Sequence, residues 1–283
     1  MKIGIIGNGF VGNATTLFRT PETEIFVFDT DPDKCEPLGT KMEDLLQTEL
    51  LFICVPTPMK ENGECFLLIV DKVIENLQKL KYQGFIIVRS TVPVGTCDRL
   101  KCFFSPEFLT EKNYKNDFIE NKDWIFGYPE NISSEEKELF MIFINGLLAK
   151  AVKYKAIQSK KSIFVKNTEA EMVKLMKNCF LATKIAFCNE VNEYCQHFGI
   201  EYENVRKLAT LDERIGSSHS YVPGHDGKKG FGGTCFPKDM NNMRYEMTKL
   251  KLNPVVIQAA IFRNENIDRI EEDWKNDKGR AVI

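Results

Sequence analysis

The chain has 283 residues, 43% of them hydrophobic and 28% charged, with a formal net charge of -2 and a pI near 6.1. That length accommodates two domains with full cores, and so near-neutral a balance gives no electrostatic basis for binding nucleic acid or an anionic membrane. Nine cysteines without a CxxC pair argue against a disulfide scaffold or a zinc site and for a reducing, cytoplasmic setting. The start reads as neither signal nor transit peptide, and no apolar run nears the roughly 20 residues that span a bilayer.

Residues 2–6 are an apolar run that leads into Gly7-Asn8-Gly9-Phe10-Val11-Gly12, and residues 13–19 suit a helix. Strand, glycine turn and helix form the setting a dinucleotide needs. The first glycine makes the tight turn, the second lets backbone N–H groups approach a pyrophosphate, and the third lets helix and strand pack closely. A second apolar run, 24–28, ends on Asp29, roughly 20 residues after Gly7. A carboxylate there bonds the ribose 2′-hydroxyl of NAD and repels the 2′-phosphate of NADP. Glycine turns also occur without nucleotides, but four conditions are met together here, and they assign NAD as the cofactor.

Further strands are predicted at 50–55, 85–88, 102–104, 124–128 and 151–154, with helices over 70–80 and 134–148. The alternation reads as α/β, a Rossmann-type doubly wound parallel sheet. Ligands bind beyond the carboxyl ends of such strands. Thr57 of Val55-Pro56-Thr57-Pro58 therefore stands at a cofactor position, and 90–96 sets further hydroxyls, Thr91 among them, at another strand end. Glu107 and Glu111 lie four residues apart. They share a face if that turn is helical, and they read equally as solvated charges.

From Thr168 the pattern is helical. Residues 169–198 run without Gly or Pro and with apolar side chains on nearly every face, including Met172, Leu175, Met176, Cys179, Phe180, Ile185, Phe187 and Val191. This predicts one long helix, buried centrally or at a dimer interface. Within it Lys174 and Asn178 face the same way. They read as a base or water-polarising ammonium beside an oxyanion donor, or as a surface lysine and a helix-interior asparagine. Gly199 stops the helix and a short one follows at 203–211. His219 and His225 sit in a polar loop with no acid or Cys at metal-ligand spacing, so no metal is expected.

Gly230-Phe231-Gly232-Gly233-Thr234-Cys235-Phe236-Pro237-Lys238-Asp239 then sets one thiol amid glycines and two opposite charges. Cys235 is a candidate nucleophile: Lys238 favours the reactive thiolate, Asp239 offers a carboxylate to a proton or a water, and the glycines leave room for a ligand. The same stretch also fits a glycine turn around a buried structural cysteine. Helices are predicted at 239–250 and 255–274, and the tail 275–283 is expected to fray. The expected domains are 1–157, Rossmann-like and NAD-binding, and 158–283, all-helical, built on the long helix and carrying Cys235.

In order, GNGFVG at 7–12, Asp29 with Lys34 behind it, VPTP at 55–58, STVPVGT at 90–96, SPEFLTE at 105–111, EAEMVKLMKNCFLATKIAFCNE at 169–190, DERIG at 212–216 and GFGGTCFPKD at 230–239 resemble the motifs of the UDP-glucose/GDP-mannose dehydrogenase family. The resemblance implies a four-electron oxidation of a sugar C6 alcohol to a carboxylate with two NAD, UDP-glucose to UDP-glucuronate above all. It implies that Cys235 captures the intermediate aldehyde as a thiohemiacetal, which becomes a thioester and is hydrolysed. Lys174 and Asn178 would stabilise oxyanions, Asp239 and Thr91 would position water, and Glu107 would assist hydrolysis. Phe10, Val11, Lys34, Thr57, Thr91, Glu111 and Lys238 would join Gly7, Gly9, Gly12 and Asp29 on the cofactor side. Glu107, Phe108, Leu109, Lys174, Asn178, Arg214, Phe231, Gly232 and Gly233 would hold the nucleotide sugar. Arg214 matches an arginine that reaches the neighbouring subunit's site, which implies a homodimer through helix 169–198.

The chain also departs from the family pattern. Members carry a third, C-terminal nucleotide-binding-like domain for which the residues after Asp239 leave no room. The segments after Asp29 and after Thr96 are short, Phe66 replaces a usual aspartate, and the loop between Gly216 and Gly230 is long. The expectation is a compact member with its core chemistry kept and its substrate cover trimmed. The alternatives are a single-step NAD-dependent hydroxyacid-type dehydrogenase and a non-catalytic NAD-binding scaffold.

Overall fold

A computed structural model describes residues 1–283. The chain divides into two compact units, Met1–Thr57 with Leu67–Lys174, and Pro58–Phe66 with Leu175–Ile283.

The first unit is built on a seven-stranded sheet of β1 (Lys2–Ile6), β2 (Glu24–Phe28), β3 (Leu50–Ile53), β4 (Phe85–Val88), β5 (Phe103–Phe104), β6 (Trp124–Tyr128) and β7 (Ser162–Lys166), in the order β2-β1-β3-β4-β5-β6-β7. All pairings are parallel except β5 with β6, which run antiparallel where Phe104 faces Gly127. The runs LLFI and FIIV become central strands because both faces of a helix-covered sheet are apolar. On one face Phe18, Phe118, Trp124 and Phe140 pack together, and on the other Leu45, Val70, Ile74 and Leu77 do. The helices are α1 (Phe10–Thr15), α2 (Leu68–Lys79), α3 (Thr96–Leu100), α4 (Tyr114–Ile119) and α5 (Ser134–Lys153).

Residues 151–154, expected as a strand, are instead the end of α5. Ile144, Leu147, Leu148 and Ala151 lie at helical spacing on its buried face, so burial carries the helix one turn past Leu148. Ser133 opens it by accepting from the Glu136 backbone N–H, with Glu135 and Glu136 complementing the helix dipole. The last strand is β7, and the division between units falls at Lys174, later than the boundary expected after residue 157. The reason is local: Asn167 of α6 (Asn167–His197) donates to Asp98 and to the Cys102 carbonyl, which ties the first turns of that helix to the sheet unit.

The second unit holds the rest of α6, α7 (Tyr202–Ala209), α8 (Phe236–Lys249) and α9 (Val255–Arg263). Cys179, Ala182 and Ala186 form one face of α6, and these small side chains admit Phe231, Met240, Ala260 and Ile261. The other face carries Met176, Phe180, Phe187, Tyr194 and Phe198, each at least 60% exposed. The long helix is therefore apolar around its girth, as expected, but within one chain it buries only one side. α9 stops at Arg263, short of residue 274, and widens into a π turn at Asn264–Asp268. The tail does not fray. Met59 donates to the Ala281 carbonyl at 2.9 Å, Ile283 donates back to the Met59 carbonyl at 3.1 Å, and Trp274 and Ala281 are buried.

Candidate active site

In the sheet unit, Gly7 has φ +92°, and a side chain there would press on the Cys54 carbonyl oxygen. A Cβ at Gly12 would run into the Gly7 carbonyl, whereas nothing lies near one built on Gly9. The first and third glycines are thus dictated by the fold and the second leaves open space, the division of labour expected of a pyrophosphate turn. Asp29 closes β2 by accepting from the Asn8 backbone N–H at 2.6 Å and the Asp31 N–H at 2.9 Å. Asn8 donates to the Lys34 carbonyl while its own Oδ1 is buried without a partner. The open face of Gly9, this orphaned oxygen and a fixed carboxylate at the strand end fit an NAD adenosine diphosphate. Phe10 and Val11 are half-buried in the first turn of α1, and the Lys34 ammonium pairs with Asp31 at 3.2 Å.

Two hydroxyls tie neighbouring strand ends together. Thr57 donates to the Thr91 carbonyl at 2.8 Å and Ser90 to the Val55 carbonyl at 2.6 Å. Beyond β5 the chain is irregular and becomes helical only at Tyr114. Glu107 and Glu111 therefore share no helix face: Glu107 is 5% exposed and Glu111 lies on the surface. The Lys174 ammonium meets the Glu107 carboxylate at 2.6 Å and its backbone carbonyl at 2.7 Å, with Phe108 stacked alongside and the Leu109 N–H on the second carboxylate oxygen at 2.8 Å. Burial raises the Glu107 pKa, but the Lys174 charge and hydrogen bond, the Leu109 N–H and the Arg89 charge together hold it below the ordinary glutamate value.

In the helical unit Cys235 caps the N-terminus of α8, with Pro237 in the first turn. Asp239, one turn into the helix, accepts from Lys238 Nζ at 2.5 Å on one oxygen and from Asn178 Nδ2 at 2.6 Å on the other. Burial works against the charged form of Lys238, and the Asp239 carboxylate followed by the Cys235 and Cys65 thiols outweighs it, so the Lys238 pKa is raised and the ammonium persists. One thiol, one ammonium, one carboxylate and one amide are thus gathered at the start of α8. Arg214 stands apart from this group. Its guanidinium, 90% exposed, holds only Asp212, at 2.5 Å, while Lys184 fixes the turn by donating to the Ile215 and Gly216 carbonyls. The glycines divide differently from expectation. The space beside Gly230 is taken by Asn264 and that beside Gly232 by the Arg269 guanidinium, and only Gly233 borders open space.

Four residues that sequence reasoning passed over bear on these groups. Glu171 accepts from the Gly95 and Cys97 backbone N–H groups at 2.6 and 2.8 Å and so anchors the loop that follows Thr91. Arg89, 3% exposed, leaves Nε and Nη1 without hydrogen bonds and lies 5.7 Å from the Phe118 ring. A charge at the end of an apolar strand was its visible signal. Asn264 and Arg269 gave none, because they sit in what reads as uninterrupted helix.

Residues 38–144 match the model of the UDP-glucose/GDP-mannose dehydrogenase family NAD binding domain, and residues 168–266 match that of the family's central domain. The UDP-glucose 6-dehydrogenase of Rickettsia bellii (strain RML369-C) is 29% identical over 292 residues, covering 94% of this chain and 62% of the relative. The chain thus spans less than two thirds of that relative. Among solved structures, a UDP-glucose dehydrogenase from the archaeon Pyrobaculum islandicum gives a TM-score of 0.77 at 24% identity, covering 93% of this chain and 68% of that one. A 3-hydroxyisobutyrate dehydrogenase from Mycobacterium tuberculosis gives 0.67 at 13% identity, covering 99% and 96%. Both structural likenesses are of fold.

Proposed function

The chain belongs to the UDP-glucose/GDP-mannose dehydrogenase family, and on that premise we propose that it is an NAD-dependent nucleotide-sugar dehydrogenase. It takes the C6 alcohol of a nucleotide hexose, UDP-glucose first, to a carboxylate through a thioester on Cys235. The observation that carries this is the grouping of Cys235, Lys238, Asp239 and Asn178 at the start of α8. A single-step alcohol oxidation has no use for a thiol there.

Gly7, Gly9, Gly12 and Asp29 would hold NAD, which would supply the hydride acceptor for the alcohol and again for the thiohemiacetal. The chain's own residues do the rest. Lys174, gripped by Glu107, donates to the C6 oxygen as it loses its proton to water and as it later becomes an oxyanion. Asn178, one turn further along α6, has a second amide N–H for the same oxygen. The Cys235 thiolate adds to the aldehyde carbon, which becomes tetrahedral and again able to lose a hydride. Lys238 stays charged and favours the thiolate. Asp239, oriented by two donors, takes the proton of the water that attacks the thioester, Thr91 and Glu107 assist, and the thiol leaves as the carboxylate forms. Thr57, Glu111, Phe10, Val11 and Lys34 are assigned to the cofactor, and Phe108, Leu109, Arg214 and 231–233 to the sugar nucleotide.

The exposed apolar stripe of α6 supports a homodimer in which a second copy covers Met176, Phe180, Phe187 and Tyr194, and the outward Arg214 suits a residue that serves that copy. None of the nine cysteines is in a disulfide, which suits a reducing, cytoplasmic compartment. No helix is long and apolar enough to cross a membrane.

The second reading is single-step NAD-dependent hydroxyacid oxidation, a chemistry that a 3-hydroxyisobutyrate dehydrogenase carries on the same fold. Incubation with UDP-glucose and NAD, followed by identification of the product, separates the two. A nucleotide uronate with two NADH per sugar supports the first reading. One NADH per substrate, or oxidation of small hydroxyacids alone, supports the second.

A further inference from the structure

The backbone just before Cys235 is gripped by side chains from the far end of the chain. Asn264, 1% exposed, faces Phe231 as a neighbouring strand would: its Oδ1 accepts from the Phe231 N–H at 2.7 Å and its Nδ2 donates to the Phe231 carbonyl at 2.9 Å. The π turn at Asn264–Asp268 places this side chain, and π turns inside helices recur at functional sites. Asn189 of α6 accepts from the Gly230 N–H at 3.3 Å. Arg269, 4% exposed, lies against Gly232, and its guanidinium forks onto both oxygens of Asp273 at 2.7 and 2.8 Å while Nη1 reaches Asp226 at 2.7 Å. Lys228, from the loop leading into this stretch, pairs with Asp273 at 2.8 Å and Glu271 at 3.1 Å.

We propose that Asn264 and Arg269 are positioning residues for Cys235, acting as a clamp on residues 230–232 that fixes where the thiol stands. The inference rests on the reading of Cys235 as the nucleophile. Three considerations lead to it. Both glycines are required by the clamp itself, since a side chain at Gly230 meets Asn264 and one at Gly232 meets Arg269. The grip is of the costly kind: a buried side-chain amide spent on one peptide unit, and a buried guanidinium spent on two carboxylates, each leaving a buried orphan if its partner is lost. Finally, only Gly233, with φ +70° and nothing near a Cβ built on it, and Thr234 separate the clamped residues from the helix cap. With Gly232 fixed on one side and α8 on the other, only this two-residue link lies between the clamp and Cys235, so the clamp bears directly on where the thiol stands for covalent capture.

The test compares wild type with Asn264→Ala and Arg269→Lys by two readouts: the rate at which iodoacetamide labels Cys235, followed by peptide mass spectrometry, and kcat against KM with UDP-glucose and NAD. Arg269→Lys keeps the charge and loses the fork and the flat contact on Gly232, so it carries the test should Asn264→Ala not fold. The expected result is a fall in kcat of about 10- to 100-fold with the KM for NAD unchanged, together with a changed rate of Cys235 labelling. Folded variants of lower melting temperature that keep the wild-type kcat and labelling rate would overturn the clamp and leave only a structural tie. Failure of the underlying reading looks different: Cys235→Ala would then turn over at the wild-type rate whatever the clamp variants do.

Discussion

Lys174 and Glu107 meet at 2.6 Å with side chains only 4% and 5% exposed, a buried ion pair whose carboxylate has every oxygen engaged. Removing one partner from such a pair costs far more than the pair contributes, because the survivor is left charged and desolvated. Glu107→Leu is therefore expected to lower stability by about 3–5 kcal/mol. Glu107→Gln, which keeps an acceptor for the Lys174 ammonium, is expected to fold and to lose turnover. Chemical denaturation and steady-state rates on the two variants check this, and equal losses of stability would contradict the role given to the carbonyl acceptor.

The pH dependence of stability follows from two shifts of opposite sign. Glu107 has its folded pKa lowered, with burial opposing and Lys174 prevailing. Its contribution is present above the ordinary glutamate value of about 4.3 and is lost as pH falls through the folded value. Lys238 has its folded pKa raised, burial again opposing and Asp239 leading the charges that prevail. Its contribution is full below the ordinary lysine value of about 10.4 and is lost as pH rises through the folded one. Thermal melting across pH should show the gap between wild type and Glu107→Gln closing at acid pH, and that between wild type and Lys238→Met closing at alkaline pH. A gap that stays constant in either limb contradicts the assignment.

Asp29 is fixed by the Asn8 and Asp31 backbone N–H groups at the end of β2. Asp29→Asn keeps an acceptor and removes the charge that disfavours a 2′-phosphate. The KM for NAD is expected to rise about tenfold, as for one lost charge-assisted bond, and NADP to become usable. Unchanged discrimination between the two cofactors would place the selecting group elsewhere.

Phe180 and Phe187 lie two turns apart on α6, 64% and 65% exposed. Charged substitutions there, Phe180→Glu with Phe187→Glu, are expected to convert a dimer to monomer in sedimentation velocity without lowering the melting temperature of the monomer. A wild-type chain that sediments as a monomer at micromolar concentration contradicts the role given to this face.

Six of the seven strands were legible because they are short apolar runs, most of them closed by glycine, proline or acid, and because burial on both faces demands that pattern, whereas β7 at Ser162–Lys166 escaped the sequence reading. Residues 151–154 misled because AVKY, with Val152 and Tyr154 in alternation, looks strand-like, while burial of Ala151 beside Leu147 and Leu148 keeps it helical. The antiparallel seam between β5 and β6 rests on a single residue pair, too short to leave a pattern. The candidate residues stood out as types at fixed spacings, Cys235 and Asp239 one helical turn apart and Lys174 and Asn178 likewise. What holds them did not, since Asn264 and Arg269 act on Phe231 and Gly232 across a long stretch of sequence and local periodicity carries no trace of such contacts. The tail was read as frayed for the same reason, its partner Met59 lying more than two hundred residues away.

The central claim is that Cys235 carries the sugar covalently, and the most direct measurement is rapid acid quench during turnover of UDP-glucose with NAD, followed by mass spectrometry of the peptide containing Cys235. The account predicts a population of that peptide bearing the hexuronyl nucleotide as a thioester, absent from Cys235→Ala together with uronate formation. An unmodified peptide throughout turnover, with Cys235→Ala still making the uronate at the wild-type rate, would contradict it.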